Sequence, residues 1–197
     1  MNIELKPATA ACCLILVAML TVAVTLPAAA QVETIDARAR GTSTQMGKDL
    51  DIRITINQYS TAQDRQTLKE AFQKGGHDAL VKALSKMKGV GRIRIPSTTG
   101  YSIAYAMAIP TPTGRKIRFV TDRPVAIFEQ RNMTRSGQYD LTAGEIEIND
   151  QDKSKNAGVL LPAAQLVINA NGELQWDLRM NPWKLTNVID WTPKGKQ

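Results

Sequence analysis

The sequence predicts an α+β fold, mainly antiparallel β: a curved or barrel-like meander of about seven to nine strands, with a two-helix hairpin inserted after the second strand. Three observations carry this. Short stretches with apolar residues at every second position recur between residues 34 and 179, which is the period of a half-buried strand. The links between them are too short for crossover connections, so neighbouring strands pair antiparallel. Residues 60–87 alone switch to helical spacing. A sheet of this size seldom stays flat, which favours curvature or closure over an open sheet; a sandwich is the other arrangement.

The first strand is a weakly alternating stretch, Thr34–Arg40. The second, around Asp51–Asn57, is clear: Leu50, Ile52, Ile54 and Ile56 share one face. Ser60 or Thr61 then caps a helix, with Gln63 or Asp64 as the capping-box partner, and Leu68, Ala71 and Phe72 share its buried side. Gly75 stands where a first helix would end in a left-handed residue. A second helix begins at Gly76, His77 or Asp78 and carries Ala79, Leu80, Ala83, Leu84 and Met87 within an arc of about 140°. His77 is the single histidine of the chain, and its place at this glycine pair reads as a corner between helices rather than a site.

Strands return at 92–96, 101–109, 115–121, 124–130, 138–148, 159–168 and 173–179. Turn clusters separate them at Ser97-Thr98-Thr99-Gly100 and Thr111-Pro112-Thr113-Gly114. Asn171-Gly172 is the strongest short hairpin signal. In residues 101–109, bulky Tyr101, Ile103, Tyr105, Met107 and Ile109 alternate with small Ser102, Ala104, Ala106 and Ala108. The small face either lines a cavity for an apolar ligand or lies close beneath the helices.

The first thirty residues have the pattern of a signal peptide. An uncharged apolar run, Ala11–Leu26, ends at Pro27, and Ala28-Ala29-Ala30 offers small residues to a signal peptidase. Cleavage between Ala30 and Gln31 leaves residues 31–197 as one α+β domain, exported to the periplasm or the extracellular space, without a membrane span. Both cysteines, Cys12 and Cys13, fall inside the removed segment, so the mature chain has no disulfide or thiol chemistry. Asn132-Met133-Thr134 is a glycosylation sequon, which matters only in a eukaryotic secretory route. The formal charge is +7, with basic groups at Arg38 and Arg40, Arg92 and Arg94, Arg115-Lys116 with Arg118, Lys153 and Lys155, and Lys194 and Lys196. Such a surface attracts anions. In an exported protein these are anionic envelope lipid or polysaccharide rather than nucleic acid; a solvated surface without a ligand is the bland alternative.

Most specific chemistries fail on detail. One histidine cannot make a multi-histidine metal centre, and no catalytic, cofactor or metal residue is assigned. Residues 41–49, GTSTQMGKD, resemble a phosphate loop but place five residues between Gly41 and Gly47 and Asp49 where serine or threonine belongs. Residues 149–156, NDQDKSKN, have the alternating oxygens of a calcium loop but Lys155 in place of its glycine and Leu161 in place of its final glutamate. Glu145 and Glu147 share a strand face, as a carboxylate-dependent hydrolase could use, but so do ordinary exposed residues. Trp176 shares a face with Leu174 and Leu178 and reads as core; Trp183 and Trp191 either pin the last segment or present rings to a sugar or membrane.

The runs GGHDALVKALSKMKGVGRIRI and NPWKLTNVIDW resemble uncharacterised exported bacterial proteins with no assigned activity. The resemblance implies export and one small domain, and transfers no residue role. The expectation is an exported binding or accessory protein of the bacterial envelope that uses its basic surface and leans away from enzymatic activity. The alternatives are a carrier of a small apolar ligand in a sheet cavity and a carboxylate-dependent hydrolase.

Overall fold

The computed structural model describes residues 32–96, 98–125, 139–168 and 174–192. Nine strands form one antiparallel sheet: β1 (Glu33–Arg40), β2 (Asp49–Ile56), β3 (Gly91–Arg94), β4 (Tyr101–Thr111), β5 (Gly114–Thr121), β6 (Leu141–Asn149), β7 (Ala157–Ile168), β8 (Leu174–Leu178) and β9 (Trp183–Asp190). Eight of them close a barrel. The ring follows chain order from β1 to β7, and β9 then fills the gap between β7 and β1. β8 stays outside the ring, paired with the second half of β7. The expected mainly antiparallel, barrel-like meander is therefore present. The closing strand, β9, is one that the alternation pattern did not reveal.

The inward faces explain the closure. Ile35, Ile54, Ile93, Ile103, Ile117 and Ile146 are each fully buried and belong to one cluster with Phe119, Leu160 and Trp183. An eight-strand barrel is just wide enough for such side chains to fill it. Phe119 pairs across strands with Gly144, and its ring occupies the space a Cβ at Gly144 would need.

Two irregularities matter. In β4, Ile103 pairs with Thr121 and Tyr105 with Val120, leaving Ala104 as an extra residue. This bulge puts Ala104 with Tyr105 in the cluster outside the barrel, while Ala106 stays in the core. The small face of residues 102–108 is thus split: one alanine lies beneath the helix, another inside the filled barrel. In β9, three residues advance against two of β1 between Ile189 and Thr186, and Asn187 takes φ 49°.

The expected two-helix hairpin is corrected to one helical element, α1 (Ala62–Leu84), running between β2 and β3. Its capping box is formed: Thr61 Oγ1 accepts from Asp64 N, and Asp64 accepts from Thr61 N. Gly75 and Gly76 do leave helical geometry, Gly76 with φ 62° and ψ −148°. They kink the element without a loop to turn it back, because both halves bury residues in one patch. Leu68 and Phe72 from the first half join Leu80 and Leu84 from the second, against Ala104, Tyr105, Val120, Leu141 and Leu166 of β4–β7.

Other expectations also shift. Pro124 and Val125 are not in a strand, and residues 126–130 of the expected 124–130 strand lie outside the described residues. Trp176, read as core, is 37% exposed, because β8 lies beside the ring and not in it, whereas Trp183 is 1% exposed within the barrel. The signal segment with Ala30 and Gln31, the sequon at Asn132, the Asn171-Gly172 turn, and Lys194 and Lys196 lie outside the described residues. The strands flanking that turn do pair antiparallel, Ile168 opposite Leu174.

Candidate functional site

The helix covers the exterior of β4–β7, and none of its packing cluster comes from β1, β2, β3 or β9. On that second half of the exterior, strand register builds rows of side chains. One row runs Arg94, Arg53, Asp36, Ile189 across β3, β2, β1 and β9. The next holds Arg92, Thr55 and Thr34, and is continued by Trp191, whose N–H donates to Thr34 O. Below them Arg38 stands opposite Asp51, and Arg40 opposite Asp49.

Most of the charge here is neutralised locally. Arg53 grips Asp36 through two bonds of 2.7 Å, and Arg38 and Arg40 each take both oxygens of Asp51 and Asp49. The bond from Arg53, opposed by partial burial and joined by one of 2.9 Å from Trp191 Nε1, holds the Asp36 carboxyl below its ordinary range. Arg92 and Arg94 differ. Both are exposed, and neither has a carboxylate within ion-pairing distance among the described residues. Arg92 donates to the Thr99 carbonyl, which fixes its direction. At the opposite end of these rows, three strands from the arginines, Trp191 is 59% exposed and Ile189 46%. The face therefore offers two guanidinium groups, threonine hydroxyls and one aromatic ring.

A second polar cluster closes one end of the barrel from within. Arg115 lies two residues before the buried Ile117 and so points inward. Its guanidinium meets Asp190 at 2.8 Å, Glu33 at 3.4 Å and Asp150 at 3.9 Å. Asp190 also accepts from Thr192 N at 2.9 Å. Burial opposes the charged form of Asp190, but the bonds from Thr192 and Arg115 outweigh it and hold the carboxyl below its ordinary range. Burial, with Glu33 beside it, pushes the Tyr59 hydroxyl well above the tyrosine range, so it stays protonated. Buried Arg115 Nε has no hydrogen-bond partner among the described residues. The carboxylates disfavour an anion here and Arg115 disfavours a cation, so the cluster acts as an ion-paired plug. The sequence groups Arg115 with the basic residues Lys116 and Arg118. Its spacing from Ile117, with that of Glu33 from Ile35, was the available signal.

The sequence-derived candidates fall apart from one another. Of residues 41–49, residues 41–48 form the turn between β1 and β2, with a single turn of tight helix at Ser43–Gln45, and Asp49 opens β2. In residues 149–156 most side-chain oxygens are taken by the loop itself: Asn149 Oδ1 accepts from Gln151 N and Asp152 N, Asp152 from Ser154 N, and Asn156 Oδ1 from Asn149 N, while Asp150 faces Arg115. Glu145 lies on the exterior, bound by Arg118 at 2.6 Å and Lys116 at 3.0 Å. Burial raises its carboxyl, yet those two cations together bring it below the ordinary range, the wrong direction for a general acid. Glu147 is exposed. Among the described residues, no group of three or more His, Cys, Asp or Glu side chains is disposed to hold a metal ion, and no helix is long and apolar enough to cross a membrane.

No family model, curated protein or solved structure matches the chain. The class is defined by the fold alone: a closed, filled eight-stranded antiparallel barrel with one helix docked outside it.

Proposed function

We propose that this chain is an exported, non-enzymatic binding or accessory protein of the bacterial envelope, which takes anionic lipid or polysaccharide on the exterior face of β3–β2–β1–β9. The observation that carries this reading is the pair Arg92 and Arg94. Among the described residues they are the exposed guanidinium groups of this face that no carboxylate holds, whereas Arg38, Arg40 and Arg53 are held by aspartates. A planar guanidinium matches phosphate and carboxylate oxygens in two-point contacts, and Trp191 adds a ring for a sugar or a lipid interface. The filled barrel argues against the carrier reading, and the paired Glu145 argues against the hydrolase reading.

The test uses the chain from Gln31 onward, with vesicles rich in anionic lipid and with an acidic polysaccharide. Binding to one of them is expected at low salt, weakening as ionic strength rises. Replacing Arg92 and Arg94 together with alanine should abolish it, while Arg38→Ala combined with Asp51→Ala, which removes a neutralised pair, should change it little. Absence of binding to both at low salt, or equal binding by the variant lacking Arg92 and Arg94, overturns the proposal.

A further inference from the structure

We propose that His77 is an acid-sensitive latch: a proton taken up from solvent onto its imidazole releases α1 from the barrel wall at β7. The placement is specific. His77 follows the Gly75–Gly76 kink directly and is 7% exposed. Its Nδ1 accepts the backbone N–H of Leu166 at 3.1 Å. β7 is available there because its pairing with β6 ends at Ala164 opposite Leu141, while β7 itself continues to Ile168. The imidazole takes an N–H at the edge that β6 no longer covers.

This bond exists for the neutral ring alone. With Nδ1 accepting, the ring proton sits on Nε2, and Nε2 is buried with no acceptor among the described residues. An added proton must go to Nδ1, where it would face the Leu166 N–H, donor against donor. The contact must break, and the kink supplies the hinge. Burial lowers the proton affinity of the ring in the docked state, against Asp140 ahead of β6 and Asp78 on α1, which favour the cation. Of the strands packed on α1, β7 carries no ionisable side chain, β4 brings Tyr105, and the outer faces of β5 and β6 bring Lys116, Arg118, Glu145 and Glu147, of which the first three pair with one another.

The sign follows from linkage. The released imidazole titrates near its ordinary value of about 6.5, and the docked one lower. Docking is therefore at full strength above about pH 6.5 and weakens as pH falls from there toward the docked value, by up to about tenfold per pH unit. Release would uncover the apolar patch of Leu68, Leu80 and Leu84 on α1 and its counterpart at Leu141 on β6.

With one histidine in the chain, its ring C–H signals in an NMR titration need no assignment. A midpoint below that of a free imidazole is expected. Amide exchange at Leu166, corrected for its intrinsic pH dependence, should speed up over the same range while Ile54 and Ile93 in the barrel stay protected. In His77→Asn the amide oxygen can replace Nδ1 as acceptor but cannot titrate, so Leu166 protection should lose its pH dependence. A midpoint at or above the free value, a constant Leu166 protection in the native protein, or an unchanged acid response in His77→Asn each overturns the latch. Should the variant fail to fold, the two measurements on the native protein decide alone.

Discussion

Phe119 and Gly144 illustrate how single residues set the barrel's interior. They are cross-strand partners, and the ring lies where a side chain on residue 144 would have to go. Packing an aromatic ring into a barrel this narrow requires a strand neighbour without a Cβ. Gly144→Ala should therefore destabilise the protein by about 1–3 kcal/mol through overpacking, measured as a lower urea midpoint with an unchanged slope. An unchanged midpoint would mean that the ring moves aside freely. The tryptophans make the converse point. Trp183 and Trp176 both sit on strands among leucines, yet one is core and the other surface. Alternation says which residues share a face, not whether the strand joins the ring.

At the scale of elements, the strand ends around Arg115 couple three strands by charge. Glu33 opens β1, Arg115 lies near the start of β5, and Asp190 ends β9. Removing the cation leaves two partly buried carboxylates facing each other, so Arg115→Ala should cost about 3 kcal/mol, the lower end for a broken buried pair because some solvent reaches it. The pH dependence is distinct. Asp190 has a folded-state carboxyl below its ordinary range, so its contribution is complete above about pH 4 and fades as pH falls through the folded value. Unfolding free energies measured across acid pH should fall less steeply in Arg115→Ala than in the native protein. A parallel curve would show that the cluster does not contribute to acid sensitivity.

At the scale of the whole molecule, closure depends on a short seam. β9 joins β7 through three residue pairs, Gly158 with Leu185, Val159 with Lys184 and Leu160 with Trp183, and joins β1 along most of its length. Ending the chain at Pro182 would remove Trp183 and Leu185 from the core and leave β1 and the first half of β7 as open edges. Open apolar edges pair with other chains. The truncated chain should lose its cooperative unfolding transition and aggregate; a soluble monomer with a native-like transition would show that the eight-strand closure is dispensable. The seam between β3 and β4 is equally short, but Ser60 reinforces it by bonding both the N–H and the C=O of Ala106.

The sequence by itself determined the elements whose signal is local. Leu50 to Ile56 alternate without interruption, and Lys116 to Phe119 do so within residues 115–121; both stretches form strands. Thr61 with Asp64 and the apolar spacing from Leu68 to Leu84 specify helical segments, down to the capping box, though not that the two halves form one element. Of the candidate face, the arginines at 92 and 94 were visible as a basic pair, but that no aspartate among the described residues pairs with them was not. Three things waited for the tertiary structure. The bulges at Ala104 and near Asn187 each insert one residue, which shifts the alternation by a face and hid both the split of the small face and the closing strand. The inward course of Arg115 became a plug only when Glu33 and Asp190 arrived from strands more than seventy residues away in sequence. The glycine corner at His77 gained its meaning from Leu166, eighty-nine residues on, whose N–H was left over where β6 ends. Periodicity records what each residue does for its own strand or helix, while closure, pairing and leftover hydrogen bonds depend on which distant segments meet.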